Sequence, residues 1–257
     1  MIDLKKIKTL AALANNDFHA KYAGNFLGVL WAFLYPCATV VLYWFVFRIA
    51  LHSEAENGAP YILWLVSALV PYLFLCDALP GTASVFIDYS YLIKKVKLDI
   101  GILPAIRILS NLIIHMFFVL LLLILAFALG YFPRYQNLWL IYYIIAEVIF
   151  LSSLGALLSV LTVFIRDIRG AVNIFIQIGY WLTPIFWSAS SLEPHLALLI
   201  KIINPITYIS EGFRHAVLSG GAPDMSYTVY FWALTLIILT FAAALLKRLR
   251  GVITDYV

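Results

Sequence analysis

The chain of 257 residues is 64% hydrophobic and only 12% charged, and its mean hydropathy is +0.99. Soluble globular domains hold about 45–50% apolar residues, so this composition excludes that class and indicates an integral membrane protein. The net charge of +4 does not indicate nucleic-acid binding, because the sequence predicts no soluble basic domain to carry it.

The first 22 residues predict an amphipathic helix that lies in the cytoplasmic membrane interface. Apolar residues recur at helical spacing from Ile2 to Phe18, while Lys5, Lys6 and Asp17 fall elsewhere on the helical wheel. The stretch TLAALA is too short for the core of a cleavable signal peptide, so we expect this helix to remain attached.

Six apolar segments predict six spanning helices. A span needs about 20 apolar residues, because lipid offers no hydrogen-bond partner to a bare peptide group. The fold class is therefore all-α. Spans one to six are expected at Phe26–Ile49, Tyr61–Leu79, Leu103–Leu129, Leu138–Phe164, Val172–Trp187 and Tyr227–Leu246.

The basic residues predict the orientation of these spans. Most of them fall before span one, between spans two and three, between spans four and five, or after span six. The positive-inside bias then puts both termini in the cytoplasm of a multi-pass inner (plasma) membrane protein. The alternative reading of each cluster is an anchor at anionic headgroups. The residues are Lys5, Lys6, Lys8, Lys21, Lys94, Lys95, Lys97, Arg107, Arg166, Arg169, Lys247, Arg248 and Arg250.

Residues 81–102, between spans two and three, predict an amphipathic cytoplasmic helix over Ile87–Val96. Lys94 and Lys95 stand near its end, where cations suit the helix dipole. An apolar face with no domain to cover it indicates a surface for a partner, and the alternative is a helix lying flat on lipid.

Residues 188–226 predict a helical pair that enters the membrane and returns. The stretches Leu196–Ile203 and Ile206–Leu218 are each too short to cross, and Asn204-Pro205 separates them. Such segments are tolerated at membrane depth only where protein or a water-filled cavity covers them.

Polar residues inside spans are expensive and need a reason. Asn173 and Gln177 stand one turn apart on span five and share a face, which suits a hydrophilic path or a contact between helices. Glu147 in span four has either a packing partner on span three, Asn111 or His115, or a role in transport.

Aromatic residues crowd spans one and five. Aromatic rings stack on the apolar faces of sugar rings, and their polar tips bond hydroxyl groups, so aromatic walls suit the passage of a glycan. Packing or interfacial anchoring is the alternative. With the two amides above, the expected pathway residues are Trp31, Tyr35, Tyr43, Tyr180 and Trp181.

No catalytic or metal-binding motif appears. None of the thirteen glycines is followed by lysine, so the sequence holds no phosphate-binding loop for ATP, and no HExxH occurs. Cys37 and Cys76 lack CxxC spacing and are read as buried thiols. We expect no catalytic residue and no metal ligand, so a partner or an ion gradient has to supply energy.

Three stretches resemble the membrane subunit of ABC-2-type exporters, in particular those that move O-antigen, capsule and teichoic-acid polymers. They are KYAGNFLGVLWAFLYP, SYLIKKVKLDIGILP, and RDIRGAVNIFIQIGYWLTPIFW followed by NPITYISEGFRHAVL. The order, spacing and number of spans also match, so the resemblance covers nearly the whole chain. One departure is that Leu98, Asp99 and Ile100 stand where the family often has Pro-Arg-Glu.

The resemblance implies a homodimer of six-helix subunits docked on two separate ATP-binding subunits. ATP and Mg²⁺ would be bound by those partners, and this chain would be a transport subunit without enzymatic activity. Residues 81–102, here named the coupling segment, would touch the ATP-binding subunit through Asp88, Tyr91, Lys94 and Lys95. The re-entrant pair would form an outer gate around Asn204, Pro205, Glu211 and Arg214, in which Glu211 and Arg214 would form a surface salt bridge.

The function predicted from these features is export of a lipid-linked polysaccharide across the inner membrane. Two copies would line a channel with spans one and five. Lys21, Arg166 and Arg169 stand at headgroup depth and are expected to bind the anionic lipid headgroup. The alternatives are an exporter of drugs or small lipophiles and, more distantly, a membrane glycosyltransferase or ligase.

Overall fold

A computed structural model describes residues 4–22, 26–55, 58–95, 100–132, 134–220 and 222–256, and all regular structure in these ranges is helical. The predicted all-α fold class is confirmed. Within the described residues, five helices are long and apolar enough to cross a membrane, and a sharply bent helical pair makes six if it counts as one span. The five run over Gly28–Ala50, Tyr61–Ala83, Ile100–Ala128, Trp139–Phe164 and Met225–Thr254.

The helix α3 (Tyr61–Ala83) is the centre of the bundle. Seventeen of its 23 residues are buried, and it contacts α6 (Leu103–Ala128), α7 (Trp139–Phe164) and two helices described below. Its sequence is apolar on every side, which suits a helix surrounded by others rather than one facing lipid. The other helices are arranged around α3.

The helix α2 (Trp31–Trp44) lies at the edge of the bundle. A 3₁₀ turn precedes it and a π-helical segment (Phe45–Ala50) follows it without a break in the chain. Its buried residues are Ala32 and Pro36. Most of its apolar surface is therefore open to lipid or to another protein.

The fifth predicted span is shorter than expected and lies earlier in the sequence. The helix α8 covers Ile168–Leu182, so the prediction of a helix up to Trp187 was wrong. Thr183 is extended because Pro184 follows it, and proline disfavours helical backbone in the preceding residue. Fifteen residues span about 22 Å at 1.5 Å per residue, which is less than the roughly 30 Å of a hydrocarbon core.

A helical pair follows α8. The helices α9 (Pro194–Ile203) and α10 (Ile206–Leu218) meet at Asn204-Pro205 with an angle of 109° between them. The buried α10 packs on α3 and α7. The predicted bent pair is thus confirmed as a feature of the fold.

The bent pair defines one end of the bundle, here named the re-entrant end. Asn137, between α6 and α7, donates to the Ala216 carbonyl of α10 over 2.5 Å, so the loop joining these helices lies at this end. Carbonyls of Pro184 and Ile185, just after α8, also contact α10. The short α8 therefore still reaches the re-entrant end.

The opposite end, here named the coupling end, holds the helix α1 and the coupling segment. The helix α1 (Leu4–Tyr22) lies against α6 and buries Ala14 and Phe18. The last long helix, α11 (Met225–Tyr256), runs ten residues past the predicted end at Leu246. At 32 residues it is about 48 Å long, so its last turns extend beyond a membrane core and bury Ile253 at this end.

The coupling segment differs from the prediction in two ways. It forms two short helices, α4 (Val85–Asp88) and α5 (Ser90–Lys95), and Val96 lies outside the described residues. Its apolar side chains, Val85, Phe86 and Ile93, are buried in a cluster with residues of α6, α7 and α11. The expectation of an uncovered apolar face was wrong, because the chain's own helices cover it.

Close packing of α10 on α7 predicts the effect of one added methyl group. A Cβ at Gly212 would lie 2.1 Å from Cε1 of the buried Tyr143, so Gly212→Ala should destabilise the protein by about 1–3 kcal/mol through overpacking. Gly170→Ala is the matched control, because a Cβ there meets nothing within 4 Å. The measurement is the temperature at which the detergent-solubilised protein loses its monodisperse peak. Equal midpoints for both variants would contradict this packing.

Candidate functional site

At the coupling end, one arginine holds three elements together. Arg107 of α6 pairs with Asp17 of α1 over 3.3 Å and with Asp88 of α4 over 3.0 Å. Its side chain is 13% exposed, and that of Asp17 is 4% exposed. Because the contact between Arg107 and Asp17 is largely shielded from water, it is stronger than an ordinary surface pair. We name Arg107, Asp17, Asp88 and Tyr89 the coupling-end cluster.

Tyr89 completes this cluster from the break between α4 and α5. Its hydroxyl donates to Asp17, and the Arg107 guanidinium lies 5.6 Å from its ring centre. Burial raises the pKa of Tyr89, and the hydrogen bond to the Asp17 carboxylate raises it further. The phenol therefore stays protonated and remains a donor. From the sequence, Arg107 was predicted only as a topology anchor. No local pattern indicated its pairing with Asp17 and Asp88, which are 90 and 19 positions away.

The four residues of the coupling segment predicted to contact a partner remain exposed, and so does Ile87. Asp88, Tyr91, Lys94 and Lys95 all face outward, and Tyr91 is 69% exposed. Lys95 donates to the Tyr91 hydroxyl over 2.6 Å. We name Ile87, Tyr91, Lys94 and Lys95 the basic patch.

The three cations predicted to bind a headgroup are divided between two places. Arg166 and Arg169 border a cavity of about 370 Å³ at the coupling end, which Ile87 and Ser90 of the coupling segment also line. Lys21 instead donates to Asn111 of α6 over 3.0 Å, in the joint between α1 and α6. The structure therefore groups the two arginines with the coupling segment and assigns Lys21 to a helix contact.

Within the bundle, Glu147 of α7 has a packing partner. Its carboxylate lies 3.5 Å from Nε2 of His115 on α6, and both side chains are 1% exposed. The His115 ring stacks on Phe74 of α3 with 4.5 Å between ring centres. Of the two alternatives for Glu147, the structure favours helix packing.

The predicted pathway residues fall into two groups. Tyr43 and Tyr180 pack together with Phe186, at 4.9 and 5.3 Å between ring centres, and so join α2 to α8 and the residues after it. The others lie on open surfaces of α2 and α8, where Tyr35 is 71% exposed. This second group is Trp31, Tyr35, Asn173, Gln177 and Trp181, here named the open face.

Arg214, predicted as a surface residue of an outer gate, is buried at 7% exposure. Its guanidinium lies 3.7 Å from the Trp64 ring centre and donates to the Pro184 carbonyl over 2.8 Å and the Ile185 carbonyl over 3.1 Å. The expectation of an exposed Arg214 paired with Glu211 was wrong. The reason is that α10 turns this side chain inward, toward carbonyls left without a helical partner where α8 ends.

The other predicted gate residues hold the bend. Asn204 donates to Thr183 Oγ1 over 2.7 Å, which ties the corner between α9 and α10 to the end of α8. Pro205 is the N-cap of α10, a position where its missing N–H is not needed by the helix. Glu211 lies 3.9 Å from Lys201 of α9. The bent pair is therefore attached to α8 at two points.

Comparisons with known proteins agree with this arrangement. The family model described as ABC-2 type transporter matches residues 8–218. The chain is 23% identical over 242 residues to the O-antigen export system permease protein RfbA of Myxococcus xanthus, covering 94% of this chain and 92% of that protein. It is also 24% identical over 212 residues to the protein of the same name from Klebsiella pneumoniae, covering 82% of this chain and 80% of that protein.

The coupling-end cluster predicts a sharp difference between single and combined variants. Arg107→Met leaves the buried Asp17 carboxylate without its cation, which should cost about 3–5 kcal/mol. Adding Asp17→Asn and Asp88→Asn to that variant removes the uncompensated charges and should restore much of the thermal midpoint. Lys95→Met, at an exposed site, is the control and should change little. If the triple variant were less stable than Arg107→Met, the pairing would be wrong.

Proposed function

The chain belongs to the ABC-2 type transporter family, and on that premise we propose that it is the membrane subunit of an exporter of lipid-linked polysaccharide. It is a multi-pass membrane permease, a transport component rather than an enzyme. The proposed cargo is a glycan of the O-antigen type, carried from the cytoplasmic side across the inner membrane. The names of the relatives, matched over most of their length, support this cargo.

The observation that carries the proposal is the open face. Trp31, Tyr35 and Trp181 expose large rings, and Asn173 and Gln177 expose amides on the same helix as Trp181. The rings can stack on sugars and the amides can form hydrogen bonds with them. None of these five side chains carries a charge that would bind a sugar tightly. Weak, repeated contacts of this kind would let a long glycan advance, whereas a few tight ones would hold it.

We propose that two copies of this chain face each other across that channel. Amides exposed on a helix at membrane depth are costly in lipid, and this supports a protein or water-filled space beside α8. Two ATP-binding subunits would bind ATP and Mg²⁺ and dock on the coupling end. With the basic residues of that end in the cytoplasm, both termini are cytoplasmic.

The basic patch and the coupling-end cluster suggest how movement would pass between subunits. A push on α5 from the ATP-binding subunit would reach α4, where Asp88 pairs with Arg107 of α6. The same arginine holds Asp17 of α1. The helices α1 and α6 would then move with the coupling segment. One arginine paired with two separate carboxylates suits the transmission of such a movement.

At the other end, the bent pair would act as the outer gate. Asn204 and Arg214 attach it to the residues where α8 ends. A shift of α8 in the channel wall would therefore move the gate with it. Pro205 and Glu211 would belong to the same unit, since Pro205 directly precedes α10 and Glu211 lies in the middle of it.

Removing the two amides of the open face tests the cargo. In vesicles holding the protein with its ATP-binding subunit, Asn173→Leu with Gln177→Leu should reduce ATP-driven movement of a lipid-linked glycan about tenfold or more, because the open face loses its hydrogen bonds. Leu120→Ala, on an exposed apolar surface of α6, is the control. Transport of a lipophilic dye without glycan transport would favour the drug exporter, and glycan transfer without ATP would favour the glycosyltransferase or ligase.

The basic patch generates a prediction about coupling. Tyr91→Asp combined with Lys94→Glu and Lys95→Glu reverses the charge of an exposed surface, so folding and insertion should be unaffected. Export should fall about tenfold or more while ATP hydrolysis by the partner persists, since closure would no longer be transmitted. Lys247→Glu, an exposed cation of α11, is the control. Normal export by the triple variant would remove the patch from the mechanism.

The cavity at the coupling end generates a prediction about the headgroup. A pyrophosphate needs cations, and one guanidinium can donate two parallel hydrogen bonds to phosphate oxygens. Arg166→Gln combined with Arg169→Gln should therefore raise the apparent KM for lipid-linked glycan about tenfold, with little change in kcat. Lys21→Gln should lower the thermal midpoint, because it bonds Asn111, and any headgroup role would appear as a KM change. An unchanged KM in the double variant would exclude capture at this cavity.

A further inference from the structure

A cavity with charged and aromatic lining residues lies at the re-entrant end, outside the open face. It has a volume of about 470 Å³ and lies between the end of α2 and the start of α3. Its lining includes Trp44, Arg48, Glu54 and Tyr61. We propose that this cavity is a carbohydrate subsite, which binds a short stretch of the glycan as it leaves the channel. The inference rests on the proposed function and adds a site to it.

The backbone explains why a cavity forms here. The segment Phe45–Ala50 is π-helical, and such wide turns are frequent at functional sites. The chain then reverses: the Ser53 amide donates to the Phe47 carbonyl over 2.8 Å, and His52 takes a positive φ of 54°. This reversal brings Glu54 back toward the helix that it has just left.

The side chains present complementary hydrogen-bonding groups. Arg48 donates to the Ser53 carbonyl over 3.3 Å, which fixes its guanidinium beside the loop and leaves further donors. Glu54 supplies acceptors. A sugar hydroxyl both donates and accepts, so a guanidinium and a carboxylate in one cavity suit it. The same two charges disfavour a lipophilic molecule, because burying them against apolar atoms is costly.

Two aromatic residues supply the rest of the site. Trp44 is half-buried and offers a ring for the apolar face of a sugar. Tyr61 is 4% exposed, and its hydroxyl has no hydrogen-bond partner among the described residues. A buried hydroxyl without a partner is unfavourable. A polar ligand in the cavity would supply the missing bond, and the volume lies within the 300–1,000 Å³ of small-molecule sites.

The cavity is also connected to the gate. The Tyr61 ring lies 5.7 Å from the Trp64 ring, between ring centres. The Arg214 guanidinium lies over that same Trp64 ring. A sugar bound beside Tyr61 is thus two contacts away from the arginine that holds α10 to the end of α8, and the subsite is in a position to receive the glycan at the gate.

The test uses the protein with its ATP-binding subunit in lipid nanodiscs. The probe is a set of oligosaccharides of a few sugars, released by mild acid from the surface polysaccharide of the source organism. Saturation-transfer NMR gives their Kd. Trp44→Ala and Glu54→Gln should each weaken binding about tenfold, and Trp44→Phe should retain it. Phe132→Ala and Glu193→Gln change exposed residues at the same end and should leave the Kd unchanged.

Binding and transport together separate the subsite from the export function. Binding that is weakened by the cavity variants and not by the controls supports the subsite, provided that thermal midpoints are equal. Equal Kd values for the wild type and the cavity variants would overturn it. Vesicle transport of lipid-linked glycan without oligosaccharide binding would overturn the subsite and leave the export function standing. Absence of both would overturn the export function and the subsite with it.

Discussion

The pairing of Arg107 with Asp17 and Asp88 is the interaction on which the coupling end depends. Without it, α1 would contact the bundle mainly through a few small and apolar side chains, and the two short helices of the coupling segment would have no charged link to α6. A helix of four or six residues is not stable by itself. The cluster and the buried Val85, Phe86 and Ile93 supply what local structure cannot.

The re-entrant end is also held together by a buried arginine, Arg214, which has different partners. A helix end at membrane depth leaves carbonyl groups that lipid cannot satisfy. Arg214 satisfies those of Pro184 and Ile185, and Trp64 covers its guanidinium. The cost of burying one cation is offset by three hydrogen bonds and an aromatic face. Both ends of the molecule are thus organised by a largely buried arginine that joins elements distant in sequence.

Between these ends, the bundle divides into a fixed part and an open part. The central α3 is enclosed by α6, α7, α8 and α10. The helices α2 and α8 keep most of their surfaces open. The proposed channel uses those surfaces, because groups already packed against neighbours, such as Tyr43 and Tyr180, are not free to meet a substrate. Packed helices beside an open surface suit the conduit for a large polar molecule proposed above.

The sequence by itself determined the membrane class, the apolar segments, the bend at Asn204-Pro205 and the shared face of Asn173 and Gln177, because lipid, proline and helical periodicity act locally. Tertiary structure alone decided which face of each helix is covered. It buried the apolar side of the coupling segment, turned Arg214 inward and gave Arg107 its two carboxylates, since these contacts join residues 19 to 150 positions apart. Helix rotation about its own axis fixes such contacts, and no local pattern in the sequence specifies that rotation.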